Sequence, residues 1–323
     1  MDTQNEPLAR VSNEFLDYQY QVLGIGEYIQ SSDVTEIYIN RPGEIYLETA
    51  REGWLKADVP TLTFERARQF CTSVVNESNT GQRITDIDPM VSLTFPTGQR
   101  AQFVIPPACD AGKVSITIRL PARFSKTLEQ YEQDGFFDEI LEQQQSLGDH
   151  DQELLELRRS RHYAEFFRKA VLYHKNIVVA GATGSGKTTF MKSLVNHIPD
   201  QERLVTIEDA RELSIRPPNV VHLLMKSDLI ILAELRGDES FYFSRNCASR
   251  NPGSITSCHA GSTAQTWDQL ALMVKASSEG AGLEFEVIKR LLKMTIDIVV
   301  HIKAHAGRRY ITGIDFDPAR ALA

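Results

Sequence analysis

Residues 176–197 read NIVVAGATGSGKTTFMKSLVNH, and this stretch decides the fold of the C-terminal half of the chain. Residues 177–180 form a short apolar run of the kind found in buried strands, and a helix is predicted over 187–197. Between them, residues 181–188 match the pattern G-x-x-x-x-G-K-[ST] in full. In such a strand–loop–helix unit, small residues let backbone N–H groups close around phosphates at the positive end of the helix dipole. The stretch therefore predicts an α/β domain that binds a nucleotide.

Individual positions of this glycine loop have separate expected roles. Lys187 is expected to neutralise phosphate charge, and the hydroxyl of Thr188 is expected to bind Mg²⁺. The expected cofactors are therefore ATP and Mg²⁺. The predicted nucleotide-binding residues of the loop are Gly181, Ala182, Thr183, Gly184, Ser185, Gly186, Lys187, Thr188 and Thr189.

Further short apolar runs follow the loop at LVTIED (204–209), LIILAEL (229–235) and SITSCHA (254–260), with helix candidates between them. This alternation predicts a parallel sheet, in which ligands bind at the carboxyl ends of the strands. Glu208 and Glu234 each lie at such an end, so both are expected near the γ-phosphate, as metal ligand or as water-orienting carboxylate. The residues alone do not decide which of the two is the catalytic base.

Three more polar residues lie close to these predicted strand ends. Arg211 and Arg236 can each pair with the neighbouring carboxylates or with phosphate, and both interpretations stay open. His259 directly follows the run SITSC. A histidine at a strand end can be a core or capping residue as well as a functional one, so its position alone leaves its role open.

The first 120 residues alternate short β-like runs with turns, and they predict an α+β domain on a mainly antiparallel sheet. The runs are EIYIN (36–40), EIYLE (44–48), VSLTF (91–95), AQFVI (101–105) and VSITIRL (114–120). Residues 41–43 predict a hairpin turn between the first two runs, and Pro42 favours an edge position for the flanking strand. One amphipathic helix is expected from Thr63 to Asn79.

The expected organisation is a smaller α+β domain at 1–120, a linker at 121–150 and an ATP-binding domain at 151–323. Residues 121–150 are acidic and rich in Gln, which is typical of a linker with short helical pieces. The ATP-binding domain is expected to open with one helix over 152–173.

Charge is uneven along the chain, whose 323 residues have a net charge of −8. Residues 1–120 and 121–160 each carry −6, whereas residues 161–323 carry +4. A mildly basic C-terminal half suits an anionic small ligand, but the chain lacks the strong basic bias of proteins that bind nucleic acids. Contact with nucleic acid is therefore possible but not supported by charge.

Composition disfavours several other classes of protein. Hydrophobic residues make up 42% and charged residues 24%, as in an ordinary folded protein. No apolar run approaches the length of a membrane span, and the start MDTQNEPLAR is unlike a signal peptide. The cysteines form no C-x-x-C pair, which argues against a zinc ribbon and a disulfide framework. They are Cys71, Cys109, Cys247 and Cys258.

Four segments, in the order GATGSGKTT, TIEDARELSI, LIILAELRGDE and PGSITSCHAGST, resemble motifs of the VirB-type hexameric ATPases of type IV secretion systems. They match the family's Walker A loop, Asp box, Walker B segment and His box. The segments NRPGEIYLE, FVIPPA, GKVSITIR and EQDGFF extend the resemblance over nearly the whole chain. The resemblance implies a RecA-like P-loop ATPase domain and an ATP-hydrolysing motor for pilus biogenesis or substrate transfer.

The resemblance also implies roles for particular residues. His259 becomes the expected γ-phosphate sensor. Arginines of the family's N-terminal domain approach the nucleotide, and Arg119 is the best match here, with Arg100 a weaker one. The implied catalytic residues are Lys187, Glu208, Glu234 and His259, and the expected metal ligands are Thr188, Glu208 and Glu234. Arg119 is the implied further nucleotide contact, and Arg236 is a further candidate because of its place two residues after Glu234.

The same resemblance implies partners and a location. A homo-hexamer is expected, in contact with other secretion-machine components that include inner-membrane ATPases. The expected position is cytoplasmic and peripheral at a bacterial inner membrane, without a membrane span of its own. Neither the cargo nor the choice between pilus assembly and substrate transfer can be derived from these residues.

Three alternatives stay open beside this interpretation. A pilus or type II secretion ATPase usually carries a four-cysteine zinc module, which these scattered cysteines cannot form. A RecA-like nucleic-acid motor would need a basic groove with aromatic residues, and the acidic N-terminal half argues against one. An ATP-binding scaffold without turnover is disfavoured because the loop lysine and both strand-end carboxylates are present.

One connection departs from the family pattern. The strand candidates Val220–Leu224 and Asp228–Ala233 are separated by only three residues, whereas a parallel connection needs a dozen or more. The family has a longer loop and a helix at this point. We therefore expect that a segment present in the family is absent from this chain near residues 224–225.

Overall fold

The computed structural model of the chain describes residues 10–50, 53–122, 126–138, 147–208, 211, 213, 215–224, 235, 239–248 and 253–322. The chain divides into two compact units. The first comprises Met1–Ile140 with Asn219–Leu224, and the second comprises Leu141–Pro218 with Met225–Ala323. The division falls inside the expected linker, and the expected domain limits at residues 120 and 150 stay predictions.

A six-stranded antiparallel sheet is the framework of the first unit. Its strands are β1 (Val34–Arg41), β2 (Gly43–Thr49), β3 (Gly53–Val59), β4 (Met90–Thr94), β5 (Arg100–Val104) and β6 (Ser115–Arg119). They are ordered β3-β2-β1-β6-β5-β4, and every neighbouring pair is antiparallel. The predicted α+β unit on a mainly antiparallel sheet is confirmed.

Three helices bury their apolar sides against this sheet in one core. They are α1 (Asn13–Leu23), α2 (Gly26–Gln30) and α3 (Phe64–Glu77). Alternate residues of β1, such as Ile37 and Ile39, enter the core, as the two-residue period of a strand requires. The helix expected from Thr63 is present, and the Thr63 hydroxyl caps it by accepting a hydrogen bond from the N–H of Arg66.

One local expectation about this sheet is wrong, and one strand was not predicted. Pro42 lies in the turn between β1 and β2, yet both of these strands are internal to the sheet. The missing N–H of the proline therefore falls in the turn and costs no ladder hydrogen bond. The edge strands are β3 and β4. No apolar run in the sequence predicted β3, because its side chains are mostly exposed and do not alternate cleanly.

The remaining strands are β7 (Ile177–Gly181), β8 (Leu204–Glu208), β9 (Val220–Leu224), β10 (Ile255–Cys258), β11 (Ile298–His305) and β12 (Arg308–Phe316). The remaining helices are α4 (Leu128–Gln133), α5 (Asp149–Arg159), α6 (Tyr163–Leu172), α7 (Lys187–Val195), α8 (Glu239–Ala248), α9 (Thr263–Ala276), α10 (Phe285–Thr295) and a 3₁₀ helix, Pro318–Leu322. All of these elements except α4 and β9 belong to the second unit.

The second unit is built on a four-stranded sheet of order β10-β7-β11-β12. The first three strands are parallel, and β12 returns antiparallel to β11 as a hairpin. Alternate residues of β7 enter two different cores, since Val178 packs with α9 and α10 while Val179 packs with α5, α6 and α7. Helices therefore cover both faces of the sheet, which confirms the α/β class.

Two of the expected strands, β8 and β9, are not part of this four-stranded sheet. Among the described residues, β8 pairs with none of the four strands. The strand candidate Asp228–Ala233 lies outside the described residues. Strand β9 groups with the first unit, where the N–H of Leu224 donates to the carbonyl of Ala108 at 2.8 Å. In the same unit the side-chain amide of Asn40 donates to Asn219 Oδ1 at 2.8 Å.

The prediction of a single helix over 152–173 is wrong, because the structure has two helices there, α5 and α6. Residues 160–162 separate them, and Arg161 has a φ of 61°, which is incompatible with an α-helix. Both helices bury apolar residues in the same cluster, with Leu154 from α5 and Phe166 from α6. The chain reverses between them so that both apolar sides face one core.

No helix within the described part of the chain is both long enough and apolar enough to cross a membrane.

Candidate nucleotide-binding site

The glycine loop joins the fully buried strand β7 to helix α7, as the sequence predicted. Gly184 and Gly186 have φ values of 75° and 96°, in the left-handed region where any other residue is strained. Gly186 directly precedes α7, and no side chain caps the first amide groups of that helix. These amides are the groups that can bind an anion at a helix N-terminus.

Gly181 allows the loop to lie close to the neighbouring strand. A Cβ added at this position would lie 2.4 Å from the carbonyl oxygen of Ile302 on β11 and 2.7 Å from Ser185 Oγ. Neither contact can be relieved easily, because one partner is backbone and the other is buried. Ser185 itself is only 1% exposed, and its Oγ has no hydrogen-bond partner among the described residues.

Lys187 is buried and its side chain turns back onto the loop. Its Nζ donates to the carbonyl oxygens of Gly181 at 2.8 Å and Ala182 at 3.2 Å. The ammonium group is thereby held inside the loop that the phosphates would enter. Thr188 is half-buried, and the outer residues of the motif are exposed, namely Ala182, Thr183, Gly184 and Thr189.

The sheet register brings His259 next to the glycine loop. Cys258, Ala180 and His301 lie side by side on β10, β7 and β11. His259 is the next residue after Cys258, just as Gly181 is the next after Ala180. The structure thus places the predicted histidine at the same carboxyl edge of the sheet as the first glycine of the loop.

Glu208 ends β8 and is buried, with 2% of its surface exposed. Its Oε1 accepts a hydrogen bond from the N–H of Leu213 at 2.7 Å, and its Oε2 accepts one from the Thr206 hydroxyl at 3.4 Å. A carboxylate held at both oxygens has a fixed orientation. Its expected convergence on the γ-phosphate stays a prediction.

Other predicted site residues are described only in part. Glu234 and Arg236 lie outside the described residues. Leu235, between them in sequence, donates its N–H to the carbonyl of Ser257 on β10 at 2.8 Å. Arg211 is exposed. The roles expected for these residues therefore rest on the sequence.

Arg119 and Arg100 lie directly opposite each other on neighbouring strands β6 and β5 of the first unit. Arg119 Nε is 3.4 Å from Glu36 Oε1, and the Arg119 side chain is 70% exposed. Two like charges facing each other across a ladder are unfavourable unless an anion compensates them. The two arginines chosen from the sequence thus form one exposed basic pair, with Glu36 beside Arg119 and Glu48 opposite Glu36 on β2.

Two residues near the loop were not expected from the sequence. His301 is buried on β11, its Nε2–H donates to the carbonyl of Ala260 at 3.2 Å, and its Nδ1 contacts the Thr312 hydroxyl. It thereby fixes the segment that follows His259. Arg309 on β12 lies against the glycine loop, with its Nε 3.5 Å from the carbonyl of Gly184. Only strand pairing brings these two residues to the loop, so no local motif could reveal them.

Comparisons with known proteins give a consistent result. Residues 143–304 match the family described as Type II/IV secretion system protein. The type IV secretion system protein VirB11 of Brucella suis is 41% identical over 326 residues, which cover 92% of this chain and 90% of that protein. VirB11 of Bartonella quintana is 35% identical over 349 residues and covers 97% of both chains.

A solved structure is similar over almost the whole chain. The crystal structure of the VirB11 ATPase from the Brucella suis type IV secretion system, in complex with sulphate, superposes with a TM-score of 0.88. The two chains are 40% identical, and the match covers 95% of this chain and 99% of that one.

The alignments also bear on the short connection near residue 224. They span 326 and 349 residues, more than the 323 residues of this chain. Each relative therefore has residues inside the aligned region that this chain lacks. This agrees with an absent internal segment, whose position near 224–225 stays a prediction.

Proposed function

The chain belongs to the VirB11 family of type IV secretion system ATPases, and from this premise we propose how its residues divide the binding and hydrolysis of ATP. The observation that carries the proposal is the buried Lys187, whose ammonium group lies inside the glycine loop on the carbonyls of Gly181 and Ala182. A triphosphate that enters the loop offers this cation a stronger, charged acceptor than a neutral carbonyl. Lys187 then binds the β- and γ-phosphates.

Mg²⁺ is the proposed second cofactor, because the available donors suit a hard cation. The Thr188 hydroxyl and the carboxylates of Glu208 and Glu234 supply oxygen ligands, which Mg²⁺ prefers together with phosphate and water. When bound, the ion neutralises charge on the β- and γ-phosphate oxygens. Thr188 would hold the ion directly, and one carboxylate would complete its surroundings.

Hydrolysis needs a carboxylate that orients the attacking water. We assign this role to Glu208 or Glu234, and the fixed orientation of the buried Glu208 supports its candidacy. His259 serves as the γ-phosphate sensor, because it follows β10 at the edge where the loop begins. His301 acts as a positioning residue, since its ring holds the carbonyl of Ala260 directly after the sensor.

Arg119 and Arg100 are proposed as further phosphate ligands. The argument rests on the family resemblance and on the register of β5 and β6, which places two exposed arginines directly opposite each other. Arg236 is proposed as a nucleotide contact from the sequence motif alone.

The proposed working form is a homo-hexamer that changes conformation as nucleotide binds and leaves, and so drives other components of a secretion machine. Its partners would include inner-membrane ATPases, and it would act on the cytoplasmic side, peripheral to the inner membrane. Family membership supports an oligomeric secretion motor. The number of subunits and the individual partners are proposed here in addition.

Steady-state hydrolysis of Mg-ATP by the purified full chain tests the proposal. Lys187→Ala and Glu234→Gln are expected to reduce turnover by on the order of 100-fold or more, because each removes stabilisation of the transferred phosphoryl group. Lys192→Ala is the matched control, since Lys192 lies on the same helix in its last turn. Its turnover should stay within about twofold of the unmodified chain.

Two further results would count against the proposal. Undiminished turnover in Lys187→Ala would show that hydrolysis occurs elsewhere or comes from a contaminant. The mass in solution, measured with and without nucleotide, should correspond to about six subunits, and a monomer under all conditions would overturn the ring.

A further inference from the structure

The hairpin of β11 and β12 brings a second cation to the glycine loop. Arg309 lies on β12 opposite Ala304, just after the turn of the hairpin. Its Nε is 3.5 Å from the carbonyl oxygen of Gly184. Its stem lies so close to Gly186 that a Cβ on that glycine would be 2.7 Å from Arg309 Cδ. The side chain therefore extends over the part of the loop between residues 184 and 186.

This contact contributes little to folding. A separation of 3.5 Å is at the long limit for a hydrogen bond, and the acceptor is a neutral carbonyl. Arg309 is exposed, and within the described residues it forms no ion pair. Arg158 in the same unit is different, because it donates to the carbonyls of Phe316 and Ile314 at 2.7 and 3.0 Å.

We propose that Arg309 is a nucleotide-binding residue whose guanidinium contacts the β- or γ-phosphate of the nucleoside triphosphate in the glycine loop. The inference rests on the proposed function, since it adds a ligand to the same site. Guanidinium–phosphate hydrogen bonds are charge-assisted, shorter and stronger than a 3.5 Å contact with a carbonyl. The Arg309 guanidinium therefore leaves the carbonyl of Gly184 and binds phosphate when the nucleotide binds.

Lys187 and Arg309 then contact the phosphates from different parts of the fold. Lys187 reaches the loop from the first turn of α7, whereas Arg309 reaches it from the tip region of a hairpin. The hairpin also holds His301, which fixes the segment after His259 through Ala260. Arg309 thus links the hairpin directly to the occupied loop.

The chain offers a matched control for this residue. Arg308 precedes Arg309 on β12, is also exposed, and carries the same charge. Successive side chains of a strand point to opposite faces, so Arg308 points away from the face that meets the loop. A general electrostatic effect on ATP binding would be lost equally on substituting Arg308 or Arg309 with alanine, whereas a specific contact with phosphate would be lost only on substituting Arg309.

The test measures the equilibrium binding of ATP, ADP and AMP to the full chain in the presence of Mg²⁺. Arg309→Ala is expected to weaken ATP binding about tenfold, equivalent to about 1.4 kcal/mol, and to leave AMP binding unchanged. The affinity of Arg309→Lys for ATP should lie between those of Arg309→Ala and the unmodified chain, because lysine keeps the charge but lacks the planar guanidinium. Arg308→Ala should bind ATP within about twofold of the unmodified chain.

Several results would overturn the inference. These are an Arg309→Ala variant that binds ATP normally, equal weakening in both alanine variants, or equal weakening of AMP and ATP. Lys187→Ala separates this inference from the proposed function. If Lys187→Ala loses ATP binding while Arg309→Ala does not, only the role of Arg309 fails. If Lys187→Ala binds ATP normally, the proposed function fails.

Discussion

The two ends of the sheet in the second unit hold their polar groups in opposite ways. At the amino end, Asn176 joins the starts of three parallel strands. Its Oδ1 accepts hydrogen bonds from the N–H groups of Gly253 and Ser254 at 3.1 and 3.0 Å, just before β10. Its Nδ2 donates to the carbonyl of Thr295 at 2.8 Å, and its N–H donates to Asp297 Oδ2 at 2.7 Å, just before β11.

At the carboxyl end the polar groups are held more loosely. Ser185 Oγ is buried, and within the described part of the chain it has no hydrogen-bond partner. Arg309 reaches a carbonyl only at 3.5 Å. The Lys187 ammonium is bonded to carbonyls of the loop itself, so these bonds do not join one strand to another.

The difference separates groups whose hydrogen bonds join strands from groups whose contacts do not. Burial raises the pKa of Asp297, although the Asn176 N–H and the Lys175 ammonium favour its ionised form. The amino end thus accommodates a partly buried carboxylate, whose hydrogen bond from the N–H of Asn176 joins the starts of two strands. At the carboxyl end, the three groups just named can change partners without separating a strand, whereas His301 at the same edge holds the carbonyl of Ala260. Substitutions at the two ends should therefore affect different properties.

The largest expected effect is on stability, at the amino end. Asn176→Ala removes the partners of two partly buried N–H groups and one partly buried carbonyl, and each loss costs about 1 kcal/mol. The free energy of unfolding should fall by about 3 kcal/mol in a denaturant titration. Turnover of ATP per folded molecule should stay unchanged, because no atom of Asn176 lies at the carboxyl edge.

Asn196→Ala is the control for this substitution, since Asn196 is the exposed residue that ends α7. It should change stability by less than about 0.5 kcal/mol. A loss below about 1 kcal/mol in Asn176→Ala, or a fall in turnover while the chain is folded, would remove the distinction between the two ends.

Asn176 also shows where prediction from the sequence ends. The strand, the glycine loop and α7 are contiguous, so the local pattern at 176–197 was enough to predict them. The partners of Asn176 on the β10 side are 77 and 78 residues away in sequence, and Gly184 is 125 residues from Arg309. Such contacts depend on which strands pair, and a single sequence does not show that.

Local prediction failed where periodicity was weak or continued across a break. The apolar spacing over 152–173 fits one helix, yet the helix is interrupted at 160–162. A periodic apolar pattern does not show where one helix ends and the next begins. Strand β3 was not predicted from the sequence because its side chains are mostly exposed. His259 could be chosen only through the family's His box, and the pairing of β10 with β7 supplied its physical position.

The intermediate effect is on catalysis, at the carboxyl end. His259→Ala should lower kcat by about tenfold, because it removes the proposed contact with the γ-phosphate that strengthens in the transition state. The free energy of unfolding should change by less than about 0.5 kcal/mol, since His259 is only partly buried. Single-turnover hydrolysis together with denaturant titration measures both quantities.

His197→Ala serves as the control, because His197 is an exposed histidine just beyond α7. It should leave kcat within about twofold of the unmodified chain. If His259→Ala instead lowers stability and leaves kcat intact, the histidine is a structural residue, and the carboxyl end resembles the amino end.

The smallest expected effect comes from Ser185→Ala, which sharpens the comparison because it removes a buried polar group as Asn176→Ala does. The two groups have similar burial, with 1% and 5% of their surfaces exposed. In the described residues, however, Ser185 Oγ has no hydrogen-bond partner, whereas the Asn176 side chain bonds to three backbone groups. Removing an unsatisfied buried hydroxyl leaves no partner stranded, so the free energy of unfolding should stay within about 0.5 kcal/mol. A loss above about 1 kcal/mol would mean that the hydroxyl is bonded in the native protein, whereas weaker ATP binding at unchanged stability would show that this hydroxyl itself contacts phosphate.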